Sequence, residues 1–128
     1  MATSRAYLDY VLGQLGGLER LRSRRMFGAA GLYSGELFFG IVSEDTLYLR
    51  ADAASRPEFL AHGAQPFRPY AERPEVSMTY YAVPAAVLED ADELVRWSRR
   101  AVSAAQAVAA VRAGRPRKAR RAPRPRRG

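Results

Sequence analysis

The first pattern in the chain is an apolar stripe at helical spacing within residues 4–15. Its members recur one, three and four positions apart, as on one face of an amphipathic helix: Tyr7, Leu8, Val11, Leu12 and Leu15. Thr3 or Ser4 can cap the start of this helix, and the Gly16-Gly17 pair ends it. We therefore predict a first helix here, followed by a short turn over residues 18–21.

Three segments after this turn have the composition of antiparallel strands joined by tight turns: residues 26–33, 36–42 and 46–50. The first contains glycines that indicate a bulge or a close approach of backbones. The third alternates, with Leu47 and Leu49 on one face and polar or aromatic residues on the other. The turns between them contain Ser34-Gly35 and Ser43-Glu44-Asp45.

The second half of the chain predicts four more elements: a helix at 52–62, a short strand at 67–70, a strand at 76–83 and a helix from residue 90 to about 112. Phe59 faces inward from the first of these helices. In the strand at 76–83, Thr79 and Tyr81 lie on the face opposite Tyr80. Asp90-Ala91-Asp92-Glu93 fits a capping box at the start of the last helix.

Together these elements predict one α+β domain with two layers. An antiparallel sheet of about five strands is packed by helices, in the order α-β-β-β-α-β-β-α. The 128 residues suit a single domain, and 48% hydrophobic residues are enough to form its core. We expect this domain to cover residues 1–113, with a long C-terminal helix at about 90–112.

The positive charge of the chain is concentrated after residue 113. Residues 114–128 contain no acid and eight basic side chains: Arg115, Arg117, Lys118, Arg120, Arg121, Arg124, Arg126 and Arg127. Without these eight, 13 basic residues face 13 acidic ones, so that the body is formally neutral and the net charge of +8 belongs to the tail. Prolines and like charges predict that the tail is disordered.

A flexible cationic tail of this kind predicts contact with nucleic acid or another polyanion. Each basic residue that meets a phosphate releases counterions, and such contacts carry no base information, so we expect binding that tolerates sequence. The alternative is a solubilising or composition-driven extension. The tail residues are the nucleic-acid-binding residues that we predict.

Composition excludes several classes of chemistry. The chain has no cysteine, which removes disulfides, thiolate nucleophiles and thiolate zinc sites. No apolar run is long enough for a signal peptide or a membrane span, so we expect a soluble cytoplasmic protein. His62 is the only histidine and has no apparent base or nucleophile partner in the pattern. We predict no catalytic residues, no metal site, no cofactor and hence no enzyme.

An ordered series of motifs runs through the predicted domain: Arg25-Met26-Phe27-Gly28, Gly31-Leu32-Tyr33, Leu47-Tyr48-Leu49-Arg50, Tyr80-Tyr81 before Pro84, and Leu88-Glu89-Asp90 leading to Trp97. This series resembles the TfoX (Sxy) N-terminal domain family over roughly residues 5–107. The resemblance implies a fold similar to the secretion-chaperone-like class. It also implies a link to regulators of natural competence, which act with the cyclic-AMP receptor protein at promoters. Those regulators carry a second, helical domain, and here we expect the basic tail in its place.

Two surfaces of the body are further candidates for binding. We expect Tyr48, Arg50, Ser77, Thr79 and Tyr81 to share one face of the sheet. Such a face can stack bases beside a cation, remain half-solvated, or contact a protein partner or a second copy of the chain. We favour the partner or dimer, because tyrosine and arginine are enriched in interfaces.

The second surface is the predicted connection into the first strand, with Arg20, Arg22, Arg24 and Arg25. These arginines either contact nucleic acid or form a solvated loop balanced by Glu19 and other acids, and we favour the loop. The adjoining Met26-Phe27-Gly28 motif is interpreted as a core-packing feature, with a small-molecule or peptide cleft at the strand bend as the alternative.

Overall fold

Nine elements follow one another along the described part of the chain, which in this computed structural model comprises residues 3–26, 28–67 and 79–114. Four are helices: α1 Arg5–Gln14, α2 Arg56–Ala61, α3 Ala85–Leu88 and α4 Ala91–Ala113. Five are strands: β1 Leu21–Met26, β2 Ala29–Ser34, β3 Leu37–Ser43, β4 Thr46–Arg50 and β5 Tyr80–Ala82.

The strands form one antiparallel sheet in the order β1-β2-β3-β4-β5, so that each strand pairs with its neighbour in the chain. The register places Ala30, Val42 and Leu47 in one row across the sheet. All three are buried because they face the helical layer. A β-bulge interrupts β3 beside Leu32 and Tyr33, where the register passes from Leu32–Gly40 to Tyr33–Phe38 and leaves Phe39 without a partner on β2.

The core lies between this face of the sheet and the helices. The stripe of α1 contributes Leu8 and Val11, and α4 contributes Leu94, Trp97 and Ala101 to the same cluster. Trp97 meets the ring of Phe59 edge-on with centroids 5.0 Å apart, and Phe59 stacks on Tyr81 of β5 at 5.6 Å. These ring contacts hold α2, α4 and the end of the sheet together.

The predicted α+β class, with an antiparallel sheet of five strands packed by helices, is confirmed. The helix predicted at residues 4–15 is α1, capped by the Ser4 hydroxyl, which accepts a hydrogen bond from the Tyr7 amide at 3.1 Å. Of the predicted capping box only the forward half forms: the Asp90 carboxylate accepts from the Glu93 amide at 3.2 Å, whereas the Glu93 carboxylate binds Arg96 and the Asp90 amide donates to the Val87 carbonyl. The four-residue helix α3 was not predicted.

The prediction of a single strand at residues 26–33 is wrong. Residues 21–26 are already a strand, and the chain reverses at Gly28, which has a φ of 81°, into β2. The predicted turn is present at residues 18–20, and the basic connection that was expected after it is β1. This strand is exposed at the sheet edge over Arg22 to Arg25, so it lacks the apolar alternation by which strands are recognised.

The strand predicted at 67–70 begins as extended chain. Pro66 forms a bridge with Tyr81, and the Phe67 amide donates to the Tyr80 carbonyl at 2.8 Å. Residues 68–70 lie outside the described part, as do residues 76–78 of the strand predicted at 76–83; the rest of that strand contains β5. The division into a domain at 1–113 and a tail at 114–128 stays a prediction, because residues 115–128 are not described.

Candidate functional site

The basic edge, as we name the four arginines Arg20, Arg22, Arg24 and Arg25, lies on and just before the outermost strand β1. All four side chains are exposed. Within the described residues none of them is within ion-pair distance of a carboxylate. The solvated-loop interpretation assigned Glu19 to balance them, but the Glu19 carboxylate binds Arg99 of α4 at 2.9 Å. The positive charge of the basic edge is therefore uncompensated by the described part of the chain.

Neutral groups hold three of these arginines in place. The Arg22 Nε donates to the Gly35 carbonyl at 3.0 Å, and its guanidinium lies over the Tyr33 ring at 5.2 Å. Both terminal nitrogens of Arg25 donate to the Thr3 carbonyl at 3.4 Å. The Arg20 guanidinium lies against Gly35, where an added Cβ would come within 2.5 Å of it. These contacts orient the cations without neutralising them.

A row of aromatic rings and two arginines crosses the sheet face opposite the core. Tyr33 contacts Phe38 with centroids 5.2 Å apart, and Phe38 contacts Tyr80 at 5.7 Å. Arg50 closes the far end, with its guanidinium 5.5 Å from the Tyr80 ring centre and its Nη1 donating to the Tyr80 hydroxyl at 3.0 Å. Burial raises the pKa of the Tyr80 phenol above its usual range. The rings thus pack on one another and on the flanking guanidinium groups.

The predicted shared face of Tyr48, Arg50, Thr79 and Tyr81 requires a correction. Tyr48 and Arg50 do lie on the face opposite the core, and the ring of Tyr48 contacts Phe67 at 5.0 Å. Tyr81, however, pairs with the core residue Leu49 and stacks on Phe59. Successive side chains of a strand point to opposite faces, so the residue that joins Arg50 is Tyr80.

The other two residues predicted for that face are Thr79 and Ser77. Thr79 is an exposed residue just before β5, and its carbonyl accepts from the Ala51 amide at 2.8 Å. Ser77 lies outside the described residues. Whether any part of this face contacts bases or a partner stays a prediction.

The family motif builds the β1–β2 hairpin and its tie to the N-terminus. The Thr3 amide donates to the Gly28 carbonyl at 2.9 Å, and the Thr3 carbonyl accepts from Arg25. Leu32 is fully buried in the core, whereas Gly31 lies opposite Ile41 on the other face. Met26 ends β1, and Phe27 lies outside the described residues. The described part of the motif therefore acts in packing and chain reversal.

Comparison with known families adds the decisive observation. The family model of the TfoX N-terminal domain matches residues 13–105, which include all five strands and most of α4. The chain belongs to the TfoX N-terminal domain family. No curated protein matches it. Membership supports a regulatory or accessory role, and this family is not known for enzymatic activity.

A groove of about 450 Å³ in this TfoX N-terminal domain lies between the α2 region and α4, and it is lined by Asp52, Ala54, Ser55, Arg96, Arg99, Arg100 and Ser103. Its three arginines differ from those of the basic edge because each binds a carboxylate. Arg96 binds Glu93 at 2.8 Å, Arg99 binds Glu19, and Arg100 binds Glu58 at 2.6 Å. The carboxylates thus balance the formal charge of the three arginines, while Nε and Nη2 of Arg100 have no hydrogen-bond partner among the described residues.

Asp52 at the mouth of this groove forms a closed turn with Ser55. Its carboxylate accepts from the Ser55 amide at 2.8 Å, and the Ser55 hydroxyl accepts from the Asp52 amide at 3.0 Å. The hydrogen bond from the Ser55 amide holds the pKa of the Asp52 carboxyl below its usual range.

Because the pKa of Asp52 is lowered, we expect this turn to stabilise the fold by an amount that depends on pH. A carboxyl whose pKa is lowered by folding stabilises the fold above its unfolded pKa, and the contribution is lost as the pH falls through the folded pKa. We expect Asp52→Asn to remove that part of the acid dependence, because the amide still accepts the hydrogen bond but does not titrate. Urea unfolding at several pH values below about 5 measures it. If the free energy of unfolding of Asp52→Asn falls with decreasing pH as steeply as that of the unmodified protein, Asp52 is not the source of this acid dependence.

The other chemistry-bearing residues of the domain give no reactive arrangement in the described part. His62 ends α2 on the surface, with its ring against the edge of Trp97 at 5.7 Å. Across residues 3–26, 28–67 and 79–114, no three potential metal ligands come together. Within the same ranges no helix has both the length and the apolar character that a membrane span needs.

Proposed function

We propose that this chain is a nucleic-acid-associated accessory protein of the TfoX N-terminal type. In this proposal the basic tail, residues 114–128, binds the phosphates of DNA or RNA, and the domain docks a protein partner or a second copy of the chain. The finer role is regulation of transcription in the cytoplasm, of the kind that the competence regulators perform. The observation that carries the proposal is the separation of charge along the sequence between a domain with equal numbers of acidic and basic residues and a basic tail that contains no acid.

The ion pairs of the domain support this separation. On α4, the arginines at 96, 99 and 100 are bound by carboxylates from three different parts of the chain. The eight basic residues of the tail have no acid among them. A phosphate polymer is a partner that supplies many negative charges at close spacing, and it matches a run of arginines without needing a fixed conformation.

The chain length also suits contact at a distance from the domain. α4 ends at Ala113, and fourteen residues follow Gly114. Fourteen fully extended residues span at most about 50 Å, so the tail can follow several phosphates while the domain keeps its surfaces for a protein.

We expect the unmodified protein to bind duplex DNA of random sequence with a slope of log affinity against log salt of about −5 for six phosphate contacts. A tail-neutral variant, in which all eight basic residues from Arg115 to Arg127 become glutamine, is expected to lose this slope and to keep the melting temperature. Fluorescence anisotropy at several salt concentrations measures binding to duplex DNA, single-stranded DNA and RNA.

A shuffled-tail variant provides the matched control, since it has the same residues after Gly114 in another order. It should bind as the unmodified protein does, because counterion release depends on charge and not on order. Unchanged, salt-dependent binding by the tail-neutral variant contradicts the role of the tail.

The second candidate function is a protein-interaction module in which the tail is incidental. The observation in its favour is the outer edge of β1 in the domain, with which no other described strand pairs. A single stoichiometric protein partner, retained after nuclease treatment and by the tail-neutral variant, would support this function. The loss of that partner together with nucleic acid would favour the first.

A further inference from the structure

We propose that the outer edge of β1 is a docking site for an extended acidic segment of a protein partner, which adds a strand to the sheet. This deepens the docking role in the proposed function and rests on it. The site consists of the backbone groups of β1 together with the basic edge.

The two edges of the sheet differ. At β5, the Phe67 amide donates to the Tyr80 carbonyl, and the Ala82 amide donates to the Gln65 carbonyl at 2.9 Å. Residues 65–67 therefore cover that edge. At β1, no strand among the described residues pairs with the outer side. β1 is thus the edge at which the described chain leaves backbone donors and acceptors open.

The register identifies which backbone groups point outward. The Gly35 amide donates to the Arg20 carbonyl at 2.8 Å, so these two residues form a hydrogen-bonded pair. Such pairs recur at every second residue of an antiparallel ladder. Arg22 and Arg24 consequently direct their backbone groups to β2, whereas Leu21, Ser23 and Arg25 direct theirs away from the sheet.

Charge decides against a second copy of the chain as the occupant. Antiparallel pairing of two β1 strands centred on Ser23 would set Arg22 of each copy directly opposite Arg24 of the other. Like charges directly opposite each other destabilise a strand pair. The same arginines favour an acidic strand, because residues opposite Arg22 and Arg24 would form the closer, non-hydrogen-bonded pairs. The arginines thus disfavour self-pairing and favour acidic partners.

The backbone of β1 favours a peptide over a nucleic acid at this site. The outward residues present both N–H donors and C=O acceptors. Phosphate oxygens accept from the former and donate nothing to the latter, whereas an extended peptide satisfies both. In addition, Arg22 lies over the aromatic face of the sheet, whereas Arg25 reaches Thr3 beside α1. Cations on both sides of the edge suit a strand with acids on both of its faces.

A synthetic peptide serves as the probe: an acetylated and amidated Thr-Glu-Val-Glu-Val-Glu-Thr, with one control in which lysine replaces glutamate and another in which proline replaces valine. The experiments use the full-length tail-neutral variant, so that the tail does not attract the peptide. Hydrogen exchange measured by NMR should slow at the Leu21, Ser23 and Arg25 amides when the acidic peptide is added, and should not slow when either control peptide is added. Equal protection by either control peptide, or no protection at millimolar peptide, overturns the proposal.

Two variants separate the possible occupants. Ser23→Pro removes an outward N–H and no bond to β2, and we expect peptide binding about tenfold weaker. Arg24→Glu should weaken it about fivefold. Ser23→Ala is the control and should bind like the unmodified strand. If circular dichroism shows that Ser23→Pro does not fold, the hydrogen-exchange measurement on the unmodified strand and the peptide titration of Arg24→Glu test the proposal in its place.

The remaining outcomes also have defined meanings. A single-stranded oligonucleotide that protects the same three amides more strongly than the acidic peptide overturns the proposal in favour of a nucleic-acid site. Self-association that Ser23→Pro abolishes overturns it in favour of a dimer. Failure of the proposed function appears separately, as unchanged DNA binding by the tail-neutral variant.

Discussion

Replacement of Trp97 by alanine is expected to lower the free energy of unfolding by about 3 to 5 kcal/mol. Trp97 is 2% exposed, and its ring meets Phe59 edge-on and supports the Arg100 guanidinium at 5.1 Å. Its Nε1 donates to the Glu93 carboxylate at 3.3 Å. Alanine would leave a cavity where α2, α4 and the core meet, and the surrounding helices can fill it only in part.

Urea unfolding followed by circular dichroism measures this loss. Val111→Ala is the matched control on the same helix, because Val111 is 62% exposed and its truncation should change stability by about 0.5 kcal/mol or less. A loss below about 1 kcal/mol for Trp97→Ala would mean that α4 is not anchored at this residue.

The same helix illustrates what the sequence could predict. α1 and α4 have apolar residues at helical spacing and capping side chains at their first turn, and both signals are local. The structure places these stripes in the core as expected. Local patterns succeed where a single face of an element is buried and the opposite face is solvated.

β1 could not be recognised in that way, because its identity as a strand comes from β2. Four of its six residues, Arg22 to Arg25, are polar and exposed, and only its pairing with residues 29–34 makes it extended. The sequence pattern shows a cluster of arginines and does not show that they lie on an edge strand. Strand propensity depends on such tertiary context more than helix propensity does.

Strand register was the second source of error. Tyr80 and Tyr81 are adjacent and both aromatic, so alternation alone does not tell which ring enters the core. The pairing of Leu49 with Tyr81 decides it, and that pairing depends on where the chain returns to β4. A shift of one residue exchanges the two faces.

Charge pairing was the third source of error, and it changed which arginines count as available in the candidate site. Glu19 adjoins Arg20 in the sequence, yet its carboxylate binds Arg99, eighty residues away. Arg99 holds the pKa of the Glu19 carboxyl below its usual range through this hydrogen bond. Which arginines remain available to a partner is thus a property of the folded chain, and the count of charges alone does not give it.

Two glycines in the domain are expected to respond to alanine with opposite signs, although both have ordinary backbone conformations. At Gly40 in β3, an added Cβ would lie 3.1 Å from the Tyr48 carbonyl and 3.4 Å from the Leu49 Cδ2. The carbonyl belongs to the neighbouring strand and cannot move without disturbing the ladder. We expect Gly40→Ala to destabilise the fold by about 1 to 3 kcal/mol, as overpacking of a filled core does.

Gly13 provides the comparison because it lies in α1 with no neighbouring atom within 4 Å of an added Cβ. Gly13→Ala is expected to stabilise the fold by about 0.5 to 1 kcal/mol, since alanine loses less conformational freedom than glycine in a helix. Thermal and urea unfolding of both variants measure the difference. If both substitutions change the free energy of unfolding equally, backbone entropy governs both positions. In that case the close approach of β3 to β4 does not require glycine at position 40. A loss confined to Gly40→Ala instead identifies that approach as the reason for glycine there, because only at Gly40 does the new methyl group meet backbone.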